Sequence, residues 1–265
     1  MRWRIRPSHK RPPATLAPNR KRIPLEIIPV PIRSEVEQDD DIVELINQSG
    51  IKVLDGDILV ISQKIVSKQE GRTVSVSAII PSILAQGIAS EYGKDPRLVE
   101  AILSESKRIV RMHDGVIITE TRNGIVCANA GIDESNVPKG MITLLPMDPD
   151  RSARWIRSGI KKILDKNTAV LISDTFGRPL RMGQTDCAIG VSGMQAIRDY
   201  RGMSDKFGRE LRVTAIAVAD EICAAAELVM GKTSRCPVAI VRNYAYADGD
   251  SAASLSRPRD KDLFQ

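Results

Sequence analysis

The chain has 265 residues, 42% hydrophobic and 27% charged, with 18 Gly and 15 Pro, a globular composition that excludes collagen-like, low-complexity and wholly disordered chains. No run approaches the roughly 20 apolar residues that span a bilayer, and the N-terminal MRWRIRPSHKRPP has no apolar stretch behind its charges, unlike a secretory signal. The net charge of +6 belongs to one end: eight of the 39 Lys and Arg fall in residues 1–22, leaving 31 against 33 Asp and Glu elsewhere. Such a tail could meet nucleic acid or an anionic surface. Trp3 is its only aromatic residue, so the reading is a solvated, disordered extension, and nucleic acid is not an expected partner. Cys127, Cys187, Cys223 and Cys236 include no C-x-x-C pair. They read as reduced thiols of a cytoplasmic protein, not as a zinc site or disulfide framework.

In chain order, residues 25–32 read as a strand and 42–48 as a helix begun by acids and ended by Gly50. Residues 57–62 (DILVIS) read as a buried strand and 63–72 as a polar connection. Helical periodicity marks 81–92 and 96–112, the second opening on Pro96. Residues 115–121 and 124–128 form a hairpin around Arg122-Asn123-Gly124, with a type I′ turn expected from Asn-Gly. A loop follows at 129–136. A helix over 150–166 takes Asp150 or Ser152 as cap, with a stripe through Trp155, Ile156, Ile160 and Ile163. Residues 168–173 (TAVLIS), 212–219 and 237–242 read as strands, and 221–230 as a helix. Strands and helices alternate without a strict βαβ repeat, so the expected fold is α+β, a mixed α/β sheet with two lobes. Its body covers 23–247, followed by a loosely packed polar tail over 248–265.

Acids fall where three apolar segments end: Asp133 after 125–128, Asp174 after TAVLIS, and Asp220–Glu221 after VTAIAVA. Carboxylates at the ends of strands can hold Mg²⁺ with waters and phosphate oxygens, or they can cap the next helix. After Asp174, the segment TFGRPLRMGQTDCAIG adds the Thr175 hydroxyl, the guanidinium forks of Arg178 and Arg181, and Gly177, Gly183 and Gly190 for close backbone approach. That composition suits an anionic substrate bridged by a cation. Gly231-Lys232-Thr233 is no P-loop, because Ala226 occupies the first glycine position and the triplet follows a helix. No G-x-G-x-x-G follows a strand. His113 is the sole histidine outside the tail, a poor basis for a Ser-His-Asp or Cys-His hydrolase.

Over roughly residues 24–265 the chain resembles the coenzyme F420-0:L-glutamate ligases, the F420 gamma-glutamyl ligase family. The stretches carrying the resemblance are SQKIVSKQEGR (62–72), NAGIDESNV (129–137), ISDTFGRPLRMGQTDCAIG (172–190), YRGMSDKFGRE (200–210) and VADEICAAAELVMG (218–231). The resemblance implies an intertwined homodimer with a distinctive two-lobed fold. The implied activity is a GTP- and metal-dependent ligase joining L-glutamate to the lactyl carboxylate of coenzyme F420-0, with further γ-linked glutamates as an option. Mg²⁺ or Mn²⁺, and a monovalent cation, are the implied ions. By the same resemblance Asp133, Asp174, Thr175 and Glu221 are metal ligands, with Asp133, Asp174 and Arg178 forming the catalytic set. Gln63, Lys64, Lys68, Asn136, Met230 and Gly231 face the nucleotide. Two departures stand out: RSEV (33–36) matches the family's early nucleotide loop poorly, and Lys232 stands where some relatives have an acid. A metal-dependent kinase or phosphatase would use the same acids and arginines, without needing glutamate.

Overall fold

The computed structural model describes residues 23–262; the basic extension 1–22 and residues 263–265 lie outside the described residues. The first strand, β1 (Glu26–Val30), leads to helix α1 (Ile42–Gln48). The Asp41 carboxylate accepts from Val43 and Glu44 N–H, and Gly50 leaves the helix at φ 78, so both ends stop where the sequence indicates. Strand β2 (Ile58–Ser62) is apolar and buried almost throughout. The expected polar connection after it is instead a helix, α2 (Gln63–Gln69). Ser62 caps this helix, and Gln63, Ile65, Val66 and Ser67 are buried, so one short inward face outweighs the polar composition.

The second lobe comes next: β3 (Thr73–Ser75), α3 (Ile83–Tyr92), α4 (Pro96–Glu105), β4 (Ser106–His113), β5 (Val116–Thr121), β6 (Val126–Ala128) and β7 (Met141–Thr143). The helix expected over 96–112 stops at Glu105. From Ser106 the chain pairs antiparallel with β5, and the β-branched Ile109 and Val110 sit in that strand. Gly124 N–H bonds Thr121 C=O at 3.0 Å, and Gly124 alone takes the left-handed conformation, at φ 78. Asn123 does not, so the turn is type I with a glycine bulge and not type I′. Ile88, Val99, Ile102, Ile117 and Ala130 form this lobe's core.

The chain then returns through α5 (Pro149–Leu164), β8 (Ala169–Arg178), β9 (Arg181–Ser192), β10 (Arg198–Asp199), β11 (Ala215–Ile216), α6 (Val218–Met230) and β12 (Val238–Arg242). The cap of α5 is Asp148, with Pro149 at the first helical position, which needs no N–H donor. Ile156 and Ile160 are fully buried, each worth about 1.5–3 kcal/mol, whereas Trp155 and Ile163 stay exposed. The strand expected over 212–219 shrinks to β11, because Val218 and Ala219 already belong to α6 and pack under the sheet.

One mixed sheet in the order β1-β12-β2-β8-β9 organises the molecule, so the architecture is α+β as expected. Only β2 and β8 run parallel within it. Apolar residues of α1 and α5 pack on one face and those of α6 on the other. Strand β9 is an edge, and carboxylates cover it: Ala188, Val191 and Gly193 N–H donate to Asp220, Asp150 and Asp250 at 2.8–2.9 Å. These acids satisfy main-chain donors that would otherwise invite another strand. Asp150, on α5, also accepts from Ser251 and Ala252, and Asp250 from Ser192 and Gly193, so the start of the polar segment after Asp248 is tied down here.

Candidate functional site

The parallel pair β2–β8 creates the crevice. Ser62 and Ser173 are the last paired residues. Beyond them the chain of β2 turns into α2, while β8 continues as one arm of a long hairpin with β9. The two chains therefore diverge at the carboxyl ends of these strands, the position where ligand sites of α/β sheets gather. Asp174 is therefore mid-strand, paired with Cys187, and does not end a strand. The expected glycine-rich loop is a two-stranded arm turning at Pro179–Leu180. Of its three glycines only Gly190 serves a close approach: a Cβ there would meet Pro149 O at 2.4 Å.

Side chains alternate across the arm. Ile172 and Phe176 join the core under α5, and Asp174 shares their face. Thr175 shares the opposite face with Leu171 and Ser173, toward α6. The two expected ligands, adjacent in sequence, thus look to opposite sides of β8. Asp133 reaches the Asp174 side from the second lobe. It follows Asn129, Ala130 and Gly131, which take φ of 51, 54 and 71 in succession. A Cβ on Gly131 would lie 2.6 Å from the Leu145 side chain, so glycine is required there. Asp133 then exchanges two main-chain bonds with Thr143, at 3.0 and 2.8 Å, which fixes its backbone.

Helix α2 supplies the cations. Lys64 Nζ lies 2.7 Å from Asp133 Oδ2 and donates to Ser135 Oγ at 2.6 Å. Lys68 Nζ donates to Asn136 O at 2.8 Å and pairs with Glu35. Asn136 holds φ 55, a conformation asparagine tolerates better than most residues. Gln63 is buried, and its amide oxygen accepts from Ser67, so it supports α2 and does not face the crevice. Burial pushes the Asp133 carboxyl up, but Lys64 and the Ser135 N–H outweigh it and hold the group below its ordinary value. Asp174 behaves oppositely. Burial raises it to about 7 against the pull of the Thr175 N–H, with Asp186 and Asp133 adding repulsion and Lys232 easing it.

On the α6 side, Thr175 Oγ1 donates to Asp186 Oδ1 at 2.6 Å, and Ser173 Oγ to Asp186 Oδ2 at 3.3 Å. Lys232 Nζ donates to Thr175 Oγ1 at 2.6 Å and to Asp186 Oδ1 at 3.1 Å. Met230 ends α6 buried, and Gly231 follows at φ 56, which aims the next residue back at the arm. Asp186 and Lys232 carry this half of the site and were not singled out as site residues. A plain count back from a Pro179–Leu180 turn sets Gln184 opposite Thr175; the irregularity between Gly177 and Arg178 shifts that partner to Asp186, and nothing in the sequence signals the shift. Glu221 is exposed on α6, without an ion pair or side-chain hydrogen bond among the described residues. Its neighbour Asp220 turns to the sheet, where burial raises its carboxyl despite the Ala188 N–H. Arg178 sits at the exposed tip and bonds Met182 and Gly183 carbonyls, about 13 Å along the strand from Asp174.

Among the described residues no three His, Cys, Asp or Glu side chains are grouped to share an ion. Two carboxylates suffice for Mg²⁺ or Mn²⁺ when waters and phosphate oxygens complete the shell. Asp133 and Asp174 fit that role: both are hard oxygen donors, and Asp174 is half-buried with no ion-pair partner among the described residues. Thr175 does not fit it, because its hydroxyl is engaged by Asp186 and Lys232, and Glu221 lies exposed on α6. No helix among the described residues is long and apolar enough to cross a membrane.

The family model for F420-0:gamma-glutamyl ligase matches residues 31–243, spanning both lobes and every site residue above. The chain is 48% identical over 229 residues to the coenzyme F420:L-glutamate ligase of Methanothermobacter thermautotrophicus, covering 84% of this chain and 90% of the relative. It is 46% identical over 247 residues to that of Methanopyrus kandleri, covering 91% and 98%. Against that of Methanocaldococcus jannaschii it is 47% identical over 225 residues, covering 84% and 89%. These matches run nearly the whole length of both partners, and the chain belongs to the F420-0:gamma-glutamyl ligase family.

Proposed function

We propose that this chain is an acid–amino-acid ligase that adds L-glutamate to the lactyl carboxylate of coenzyme F420-0, using GTP and a divalent metal. The observation that carries the reading is the end of β2–β8, where Lys64 pairs with Asp133, Lys68 holds the nearby Asn136 carbonyl, and the buried Asp174 carboxyl feels the Asp133 charge, all within the family-matched segment. A carboxylate is a poor electrophile toward an amine, so it must be activated. Its oxygen attacks the γ-phosphorus of GTP, the bond to the β-phosphate oxygen breaks, and GDP leaves. The glutamate amine then attacks the acyl phosphate carbon, phosphate departs, and the amine loses a proton to give the amide.

Each step builds or moves negative charge among phosphates, which Lys64 and Lys68 are placed to meet. Asp133 and Asp174 would hold the metal, which screens phosphate charge when bound. Holding the two reactants in line supplies much of the remaining rate. Nothing in this chemistry requires a covalent enzyme intermediate, and the one body histidine, His113, is exposed next to Asp114. The four free cysteines suit a cytoplasmic setting. A homodimer is supported by the arm β8–β9, whose tip exposes Leu180 and Met182 almost completely.

The deciding experiment combines the protein with GTP, Mg²⁺ or Mn²⁺, L-glutamate and coenzyme F420-0, and weighs the product. A gain of one glutamyl unit with matching GDP release is the expected result. GDP release that ignores glutamate would identify a metal-dependent kinase or phosphatase instead.

A further inference from the structure

The Thr175 side of the arm already holds a cation, and the protein itself provides it. Lys232 Nζ lies 2.6 Å from Thr175 Oγ1, 3.1 Å from Asp186 Oδ1 and 3.7 Å from Glu227 Oε1. Asp186 is 4% exposed, and both its oxygens also accept hydroxyl protons, from Ser173 and Thr175. A Mg²⁺-like ion demands near-octahedral oxygen ligands that carry no proton toward it. Here the Thr175 oxygen turns its proton to Asp186 and its lone pair to an ammonium. A divalent ion entering this half would have to expel Lys232 or stand against its charge.

A simpler role for Lys232 would be to sit at the C-terminus of α6 and bond the last carbonyls of the helix. It does not: its ammonium bridges from the end of α6 to the arm, and the carbonyl of Met230 takes the Ser234 hydroxyl instead. The Lys232 side chain is 59% exposed while its tip reaches a buried acid, so the stem is free to carry the ammonium between Asp186 and a ligand in the crevice. If it moves, Asp186 keeps two hydroxyl donors.

We infer that Lys232 takes the place of a second divalent ion, meeting the nucleotide phosphates at the Thr175–Asp186 half while one metal serves the Asp133–Asp174 half. This rests on the ligase reading above. In the full-length protein, saturated with a non-hydrolysable GTP analogue, Mn²⁺ titration followed by electron paramagnetic resonance should give one tightly held ion per chain. Two ions per chain overturn the inference. Lys232→Met keeps the stem and removes the charge, and should weaken the analogue about 10- to 100-fold, as expected for a charge-assisted phosphate contact. Lys232→Arg should stay within about threefold of wild type, since the charge is kept. Wild-type affinity in Lys232→Met overturns the inference as well. Should that variant fail to fold, the ion count on the wild-type chain decides alone. Product formed with two ions per chain refutes only this inference, whereas one ion per chain with no glutamylated product refutes the ligase reading.

Discussion

Lys64 Nζ and Asp133 Oδ2 are 2.7 Å apart, so the ammonium occupies one of the oxygens that a metal at Asp133 would need. Ammonium and metal therefore compete until nucleotide phosphates draw the lysine away. Lys64→Met should tighten Mn²⁺ binding to the nucleotide-free protein by about tenfold, because a nearby like charge is removed. The same variant should weaken GTP. Equilibrium dialysis with Mn²⁺ measures the first effect, and unchanged or weaker metal binding would contradict the competition.

Gly131 positions Asp133 from behind. Gly131→Ala forces a Cβ onto the Leu145 side chain at 2.6 Å and a side chain onto φ 71. The expected loss is about 2–4 kcal/mol in a urea melt, combining left-handed strain with overpacking. Mn²⁺ affinity should fall with it, because the strained run Asn129–Gly131 sets where Asp133 emerges. A variant as stable as wild type would show that the loop relaxes freely.

What the sequence made legible were the self-contained signals. The helix over 42–48 stands between an acidic cap and Gly50, and TAVLIS is an apolar run with one reading. Helix α2 was missed because its inward face is only a few residues, among Lys and Gln that favour solvent. Strand β4 was missed because helical periodicity continues past Glu105, and only pairing with β5, a tertiary effect, breaks it. The arm was read as a loop because its turn lacks the usual punctuation: Leu180, not glycine, takes the left-handed position, at φ 59. Even the turn alone would pair Thr175 with Gln184, and only the irregularity between Gly177 and Arg178 brings Asp186 there. Asp133 and Asp174 were legible as acids after apolar runs, although Asp174 lies inside its strand. Thr175 came as a ligand only from the resemblance, and its place next to Asp174 in a strand means the opposite face.

The arm makes the dimer testable. Leu180 and Met182 are 91% and 94% exposed at its tip. If the tip lies in a homodimer interface, Leu180→Glu combined with Met182→Glu should yield a monomer by light scattering at micromolar concentration. Neither residue touches the core, so the melting temperature of the isolated chain should change little. A dimer that survives both substitutions places the interface elsewhere.

Cys127 is buried, and its thiol is pushed up to about 12, first by burial and then by the Asp174 charge. A thiolate is the reactive form, so Cys127 should resist iodoacetamide in the native protein at pH 8 and react once urea exposes it. Peptide mass spectrometry reads both states. Rapid native labelling of Cys127 would mean that the β6–β8 contact opens readily.

Asp174 gives the sharpest pH signature. Its carboxyl is raised from an ordinary 3.8 to about 7, by burial first and by Asp186 and Asp133 after it. A carboxyl raised in the folded state disfavours folding once it ionises. The penalty is complete above pH 7, shrinks as pH falls, and is gone below the unfolded value near 4. At pH 8 it is on the order of 4 kcal/mol. The metal-free protein should therefore gain stability as pH falls from 8 toward 5, before general acid unfolding begins. Asp174→Asn mimics the protonated group, so it should flatten that slope and leave the fold intact at pH 8. Metal should flatten it too in the wild type, with release of a proton on binding near pH 6. The asparagine variant should lose both the metal response and turnover. Chemical denaturation across pH, with and without Mn²⁺, separates these outcomes. Identical slopes in wild type and variant would remove Asp174 from the metal site.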